Sequence, residues 1–312
     1  MRSYGVGDET IAHYTCRRAS GPIRIDGNLD KPAWRTAERS PRFVDMVTGE
    51  PGFLGTQAAA LWDDDNLYVG FWIDELSVKA AQTERDSLVF LENDVEVFVD
   101  GGDCYYEFEI NALGTVYEVF YIWQDSYERR RSELAGPEFD LTGGRALSFG
   151  GDYDRDGATF WRGRHPRGLR WAFRGWDLPG LRTAVRVDGT INDPATVDHG
   201  WTAELAFPWH GLAPLANGRA VPPRDGDTWR IFFGRFEKLT PSGVEIRPHP
   251  AWAWNRHGVY DTHLPECFTF VHFSTEPAPW SRGDATWIGH SAAARVDTPA
   301  EDTPPEVSPP RR

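Results

Sequence analysis

Residues 91–123 of this 312-residue chain constrain its fold more than any other stretch: Leu-Glu-Asn-Asp-Val-Glu-Val-Phe-Val-Asp-Gly-Gly-Asp-Cys-Tyr-Tyr-Glu-Phe-Glu-Ile-Asn-Ala-Leu-Gly-Thr-Val-Tyr-Glu-Val-Phe-Tyr-Ile-Trp. Side chains on a strand point alternately to its two faces, so this period-two pattern, broken at the glycines, predicts three successive strands joined by tight turns. On the first, Val95, Val97 and Val99 share one face while Asp94, Glu96 and Phe98 share the other. On the second, Tyr106, Phe108 and Ile110 oppose Tyr105, Glu107 and Glu109. One face must be core. The other combines carboxylates with aromatic rings.

The rest of the chain continues the strand pattern. A strand is expected at 11–16, and Pro22 to Asp30 reads as a strand entering a turn. Asp30 is placed to cap a short helix carrying Pro32 in its first turn, with Ala33 and Trp34 following. Residues 57–73 form a hairpin about Asp63-Asp64-Asp65-Asn66, whose side chains hydrogen-bond their own backbone in turns. Residues 124–180 are less regular; strands follow at 182–188, 201–207, 229–237 and 268–273, with a mixed segment at 244–254. Regularly spaced strands with almost no helical period predict an all-β fold, an antiparallel β-sandwich of jelly-roll-like form with short helices in its connections. The expected domains are an N-terminal extension (1–9), one sandwich (10–275) and a Pro-rich, charged, disordered tail (276–312).

Composition narrows the function classes. The net charge is −14, which argues against a nucleic-acid partner because phosphate neutralisation needs clustered Lys and Arg. Cys16, Cys104 and Cys267 are odd in number and widely spaced, so neither a disulfide framework nor a paired metal–thiolate motif is expected. Cys104 falls in a turn and is expected to be exposed, Cys267 to be buried. No apolar run approaches a membrane span, so no membrane partner is expected. The N-terminus lacks the apolar stretch of a secretory signal, which predicts a cytoplasmic location; secretion or periplasmic export is the alternative for a different start.

Seven segments then occur in a telling order: Ile25-Asp26-Gly27-Asn28-Leu29-Asp30 with Trp34; Leu61 to Val69; Asn93 to Asp100; Tyr106 to Asn111; Gly200 to Trp209; Gly226-Asp227-Thr228-Trp229-Arg230; and His263-Leu264-Pro265-Glu266. Together, over about residues 22–274, they resemble carbohydrate-binding module family 9 and its stand-alone relatives. The resemblance implies a β-sandwich, often calcium-stabilised, that holds a saccharide between two aromatic faces beside an acidic residue and performs no catalysis. It also implies service to a separate glycoside hydrolase in plant-type polysaccharide breakdown.

The residues themselves fit that chemistry. A pyranose shows apolar C–H patches on its faces and hydroxyls around its rim, so flat rings cover the first while carboxylates and guanidinium groups bind the second. Phe90, just before the first strand, is placed as one platform, and Trp252 or Trp254 as the opposing ring. Glu96 and Glu109, on the polar face, and Arg235 are the expected hydroxyl partners; packing of either Trp in the core, and Arg pairing with Glu96, Glu107, Glu109 or Glu204, are the competing readings. Asp152, Asp154 and Asp156, followed by Gly157, match the opening of a calcium loop, although Gly163 stands where that loop carries Glu. A solvated acidic turn is the alternative there. The runner-up function is a glycan-cleaving enzyme using two of Glu96, Glu107, Glu109 and Glu204, since such chemistry needs paired carboxylates. A structural or interaction role ranks third. A haem module is disfavoured by having only Met1 and Met46.

Overall fold

The alternation along residues 91–123 becomes β5 (Asp94–Asp100), β6 (Cys104–Asn111) and β7 (Val116–Trp123) of a computed structural model, which describes residues 5–129, 136–142, 146–151 and 165–278. Before them run β1 (His13–Arg18), β2 (Val44–Asp45), β3 (Thr56–Trp62) and β4 (Asn66–Asp74). After them come β8 (Ala146–Phe149), β9 (Arg170–Phe173), β10 (Arg182–Asp188), β11 (Gly200–Pro208), β12 (Thr228–Phe236), β13 (Ala251–Ala253) and β14 (Thr269–Pro277). The α-helices among the described residues are short, α1 (Pro32–Thr36) and α2 (Gln124–Tyr127), and none is long and apolar enough to cross a membrane.

The fold is all-β. Hydrogen bonding links the strands in the order β10-β11-β4-β3-β1-β14-β12-β5-β6-β7-β9-β8, with β13 beside β12 and β2. The order folds over on itself, so β4 and β11 face β5, β6 and β12 across a common core. Phe207 meets Phe108 at 5.2 Å between ring centres, and Phe71 meets Phe233 at 6.4 Å. Val95, Val97, Val99 and Ile110 are fully buried against this layer. Exposure of that face would forfeit about 1.5–3 kcal/mol per large apolar side chain, which pins the register of all three strands.

Several expectations need correction. The sheet is mixed rather than antiparallel, because β1 runs parallel to both β3 and β14 and joins the two halves. Ile23 to Ile25 is not a strand: the Asp26 and Gly27 amides donate to the Glu204 carboxylate instead of to a neighbouring strand. The N-cap of α1 is Lys31, not Asp30, which pairs with Arg35 at 2.8 Å; Pro32 does open the helix. The region expected to be irregular contains β8 and β9. Cys104 is fully buried as the first residue of β6, its thiol 3.6 Å from the Pro214 carbonyl. Gly200 opens β11 with φ at +139°, and a Cβ there would lie 1.9 Å from the Ile73 carbonyl oxygen, so the close β11–β4 approach needs glycine. From residue 279 onward the tail lies outside the described residues.

Candidate functional site

Register sets the site. Glu96 lies directly across from Glu109, and Glu109 across from Tyr117, so the three form one row over β5, β6 and β7. Glu107 and Tyr121 lie further along the same face, which points away from the sandwich core. That outer face is not bare. Phe98, Tyr105, Trp123, Phe232 and Phe268 bury themselves on it as a second, smaller apolar cluster. Where this cluster ends, a cavity of about 530 Å³ opens over the acids. Phe149 from β8, Phe236 from β12, and the segments at Arg247–His249 and Tyr260–His263 supply its walls, with Phe90 and Leu91 at one side.

The floor is acidic and buried. Glu96, Glu107 and Glu109 are each less than 5% exposed, as is Asp94 one strand-step away from Glu96. One oxygen from each of Asp94, Glu96 and Glu109 lies within 4.8 Å of the others. Burial, and next the neighbouring Glu107, Glu96 and Asp94 charges, push the Glu109 carboxyl well above the usual range. Burial does the same to Asp94, against a hydrogen bond from the Phe236 amide. Tyr121 donates its hydroxyl to Glu107 at 2.6 Å, and its ring stacks on Tyr105 at 4.7 Å. His263 stands 3.9 Å from Glu107 and packs against Phe149 at 4.4 Å. Burial, followed by the Arg170 charge, holds His263 far below its usual value, so it is a neutral ring at physiological pH. Arg170 donates to the Gly150 and His263 carbonyls and stacks over Trp123 at 4.1 Å, tying two walls of the cavity together.

Of the residues singled out from sequence, Phe90, Glu96 and Glu109 line this cavity. Phe90 is 38% exposed and meets Tyr117 edge-on at 5.5 Å. Arg235, Trp252 and Trp254 do not line it. They occupy the core face, since Arg235 is in register with Val95 and Trp252, opposite to the Glu96 side. Trp254 packs against Tyr14 at 4.9 Å and Phe233 at 4.9 Å inside the sandwich, so the core reading of these Trp residues holds. Arg235 does pair with acids, but with Glu237 at 2.7 Å and Glu75 at 3.7 Å rather than with any of the four expected. Asp152, Asp154 and Asp156 lie outside the described residues. The sequence reading passed over Tyr117, Tyr121, Phe149, Tyr260 and His263. The first two were available from the same alternation, carried one strand further; the others depend on loops folding back over the sheet.

No family model and no curated protein matches the sequence. Among solved structures, the chain is similar to a protein from Bacteroides uniformis ATCC 8492 described, by inference, as carbohydrate-binding: TM-score 0.52, 15% identity, 85% of this chain and 100% of that one. At that identity the likeness establishes a common fold. It is also similar to a carbohydrate-binding module of family 9 from Caldicellulosiruptor kristjanssonii in complex with cellotriose: TM-score 0.45, 12% identity, 89% of this chain and 98% of that one. A complex of a family 9 module of that organism with glucose matches at TM-score 0.44 and 12% identity, over 84% and 96%.

Proposed function

We propose that the protein binds a plant-type oligosaccharide in the cavity over β5, β6 and β7 without cleaving it, in support of a separate glycoside hydrolase. The observation that carries this reading is the convergence of buried carboxylates with Phe90, Tyr117, Tyr121 and Tyr260 around one opening. Its volume, about 530 Å³, lies in the range of small-molecule sites and accommodates one or two sugar rings. Rings cover the sugar faces, and Glu96, Glu109 and Arg174, which also lines the cavity, reach its hydroxyls.

Calorimetry against xylo-, gluco-, cello- and uronate oligosaccharides tests the reading. At least one is expected to bind, and Tyr117→Ala is expected to weaken it about tenfold through lost ring contact, an effect near 1.4 kcal/mol. Absence of heat with every sugar, with divalent cations present, would sink the proposal. A catalytic role is favoured by one feature, the Glu109 carboxyl pushed well above its usual range by burial and by the neighbouring Glu107, the direction a general acid requires. Release of reducing ends that stops in Glu109→Gln would promote that second reading.

A further inference from the structure

The row of acids beneath the cavity poses a problem of charge. Glu96 and Glu109 sit directly across from each other on β5 and β6, an arrangement that is unfavourable for like charges. Asp94 adds a third carboxylate from the same face. Buried carboxylates normally find an opposite charge or a full set of donors. Here Asp94 Oδ1 accepts from the Phe236 amide at 3.3 Å, but Asp94 Oδ2 and Glu109 Oε2 are buried with no hydrogen-bond partner. Both residues belong to the trio that brings one carboxylate oxygen from each member within 4.8 Å of the others. An ion bound at about 2.4 Å from each oxygen would hold its ligands no more than about 4.8 Å apart.

We propose that Asp94, Glu96 and Glu109 form a binding site for a hard divalent cation of calcium size at the floor of the cavity. The donor set is all oxygen, which suits calcium or manganese and gives no nitrogen or sulfur for zinc or copper. Glu96 and Glu109 line the cavity, so the ion has room on that side for water or for a ligand hydroxyl. The assignment stands on the geometry of the three acids and does not require the saccharide reading.

Chelator-treated full-length protein is titrated with CaCl₂, following its melting midpoint, and separately with Tb³⁺, following luminescence sensitised through Tyr117, the neighbour of Glu109 on β7. Millimolar calcium is expected to raise the midpoint by roughly 5 °C, and terbium to give saturable emission. Both responses disappear in Asp94→Asn and Glu109→Gln. The amide variants are near-isosteric and remove a buried charge, so both fold, and their metal-free midpoints stay at or above that of the parent. No response in the parent protein overturns the site and leaves shared protons as what neutralises the acids. Responses that persist in both variants, or that vanish instead in Asp154→Asn, overturn it as well. None of these outcomes depends on whether a sugar binds.

Discussion

Arg235→Met is expected to lower stability by about 3–5 kcal/mol, the usual cost of removing one partner from a buried charge network, and the melting midpoint by roughly 6–20 °C. The guanidinium is fully buried at the sandwich core, where it donates to Thr56 Oγ1 at 2.9 Å, the Asp74 carbonyl at 3.0 Å and Glu237 at 2.7 Å. Methionine fills the volume but supplies no donor, so Glu237 and Glu75 are left facing each other. The pH dependence identifies the cause. Burial pushes the Glu237 carboxyl up to about 7, and the Arg235 charge is the largest influence opposing that rise. A carboxyl raised above its unfolded value of 4.5 favours the fold fully below that pH, and the benefit is lost as pH climbs through the folded value. Without the guanidinium the folded value rises further, so the loss continues above pH 7. The deficit of the variant relative to the parent is therefore expected to be larger at pH 8 than at pH 5, by urea denaturation at both. An equal deficit at the two pH values would remove charge coupling as the explanation. Saccharide affinity of the folded variant should be unchanged, because Arg235 lies on the face opposite the cavity.

The fate of Arg235 shows what could be read in the sequence. Period-two alternation correctly divided β5 and β6 into a core face and an acidic aromatic face, because a side chain's face follows from its parity along a strand. It placed Glu96 and Glu109 together for the same reason. Parity within one strand does not say which face of the next strand it matches. That requires the register, and the pairing of Arg235 with Val95 rather than Glu96 put Arg235, Trp252 and Trp254 in the core. The Trp residues read as platforms were already occupied, Trp254 by Tyr14, Phe43 and Phe233, and Trp252 by Phe53 and the Arg235 guanidinium. Tyr260 and His263 reach the cavity from a segment about 150 residues beyond β6 in sequence, and no local pattern encodes that return. The parallel placement of β1 was likewise hidden, since a strand's own sequence carries no mark of its neighbours' direction. Gly200 is a partial exception: its place at the head of an alternating strand signals a close backbone approach, though not which strand approaches.

Glu204→Leu is expected to cost a similar 3–5 kcal/mol and to act on the opposite side of the molecule, by releasing one segment before the rest. Glu204 was a candidate for catalysis on sequence grounds, but its fully buried carboxylate is occupied on all sides. It accepts from the Asp26 amide at 2.8 Å, the Gly27 amide at 3.0 Å, the Trp34 indole at 2.8 Å and the Lys31 ammonium at 2.7 Å. These donors bring the stretch from Ile23 to α1 down onto the outer face of β3, β4 and β11, where Trp34 packs with Leu61, Tyr68 and Ala206. Close approach is needed at Gly27, whose φ is +77° and where a Cβ would stand 2.8 Å from the Val185 backbone. Leucine leaves two amides and the Trp34 indole N–H without their acceptor, while the Lys31 ammonium keeps Asp26 at 2.7 Å and the Arg24 carbonyl. The indole, buried with its ring, cannot reach water while Trp34 stays docked. The segment is therefore expected to open locally at a free energy well below that of global unfolding. Hydrogen exchange should show protection lost over residues 23–37 while β5, β6 and β7 keep theirs, and trypsin should cut after Arg24 or Arg35 in the variant but not in the parent. Glu204→Gln, which keeps one acceptor oxygen, should fall between the two. Retained protection over residues 23–37 in the leucine variant would mean that the burial of Trp34, rather than the carboxylate, holds this segment in place.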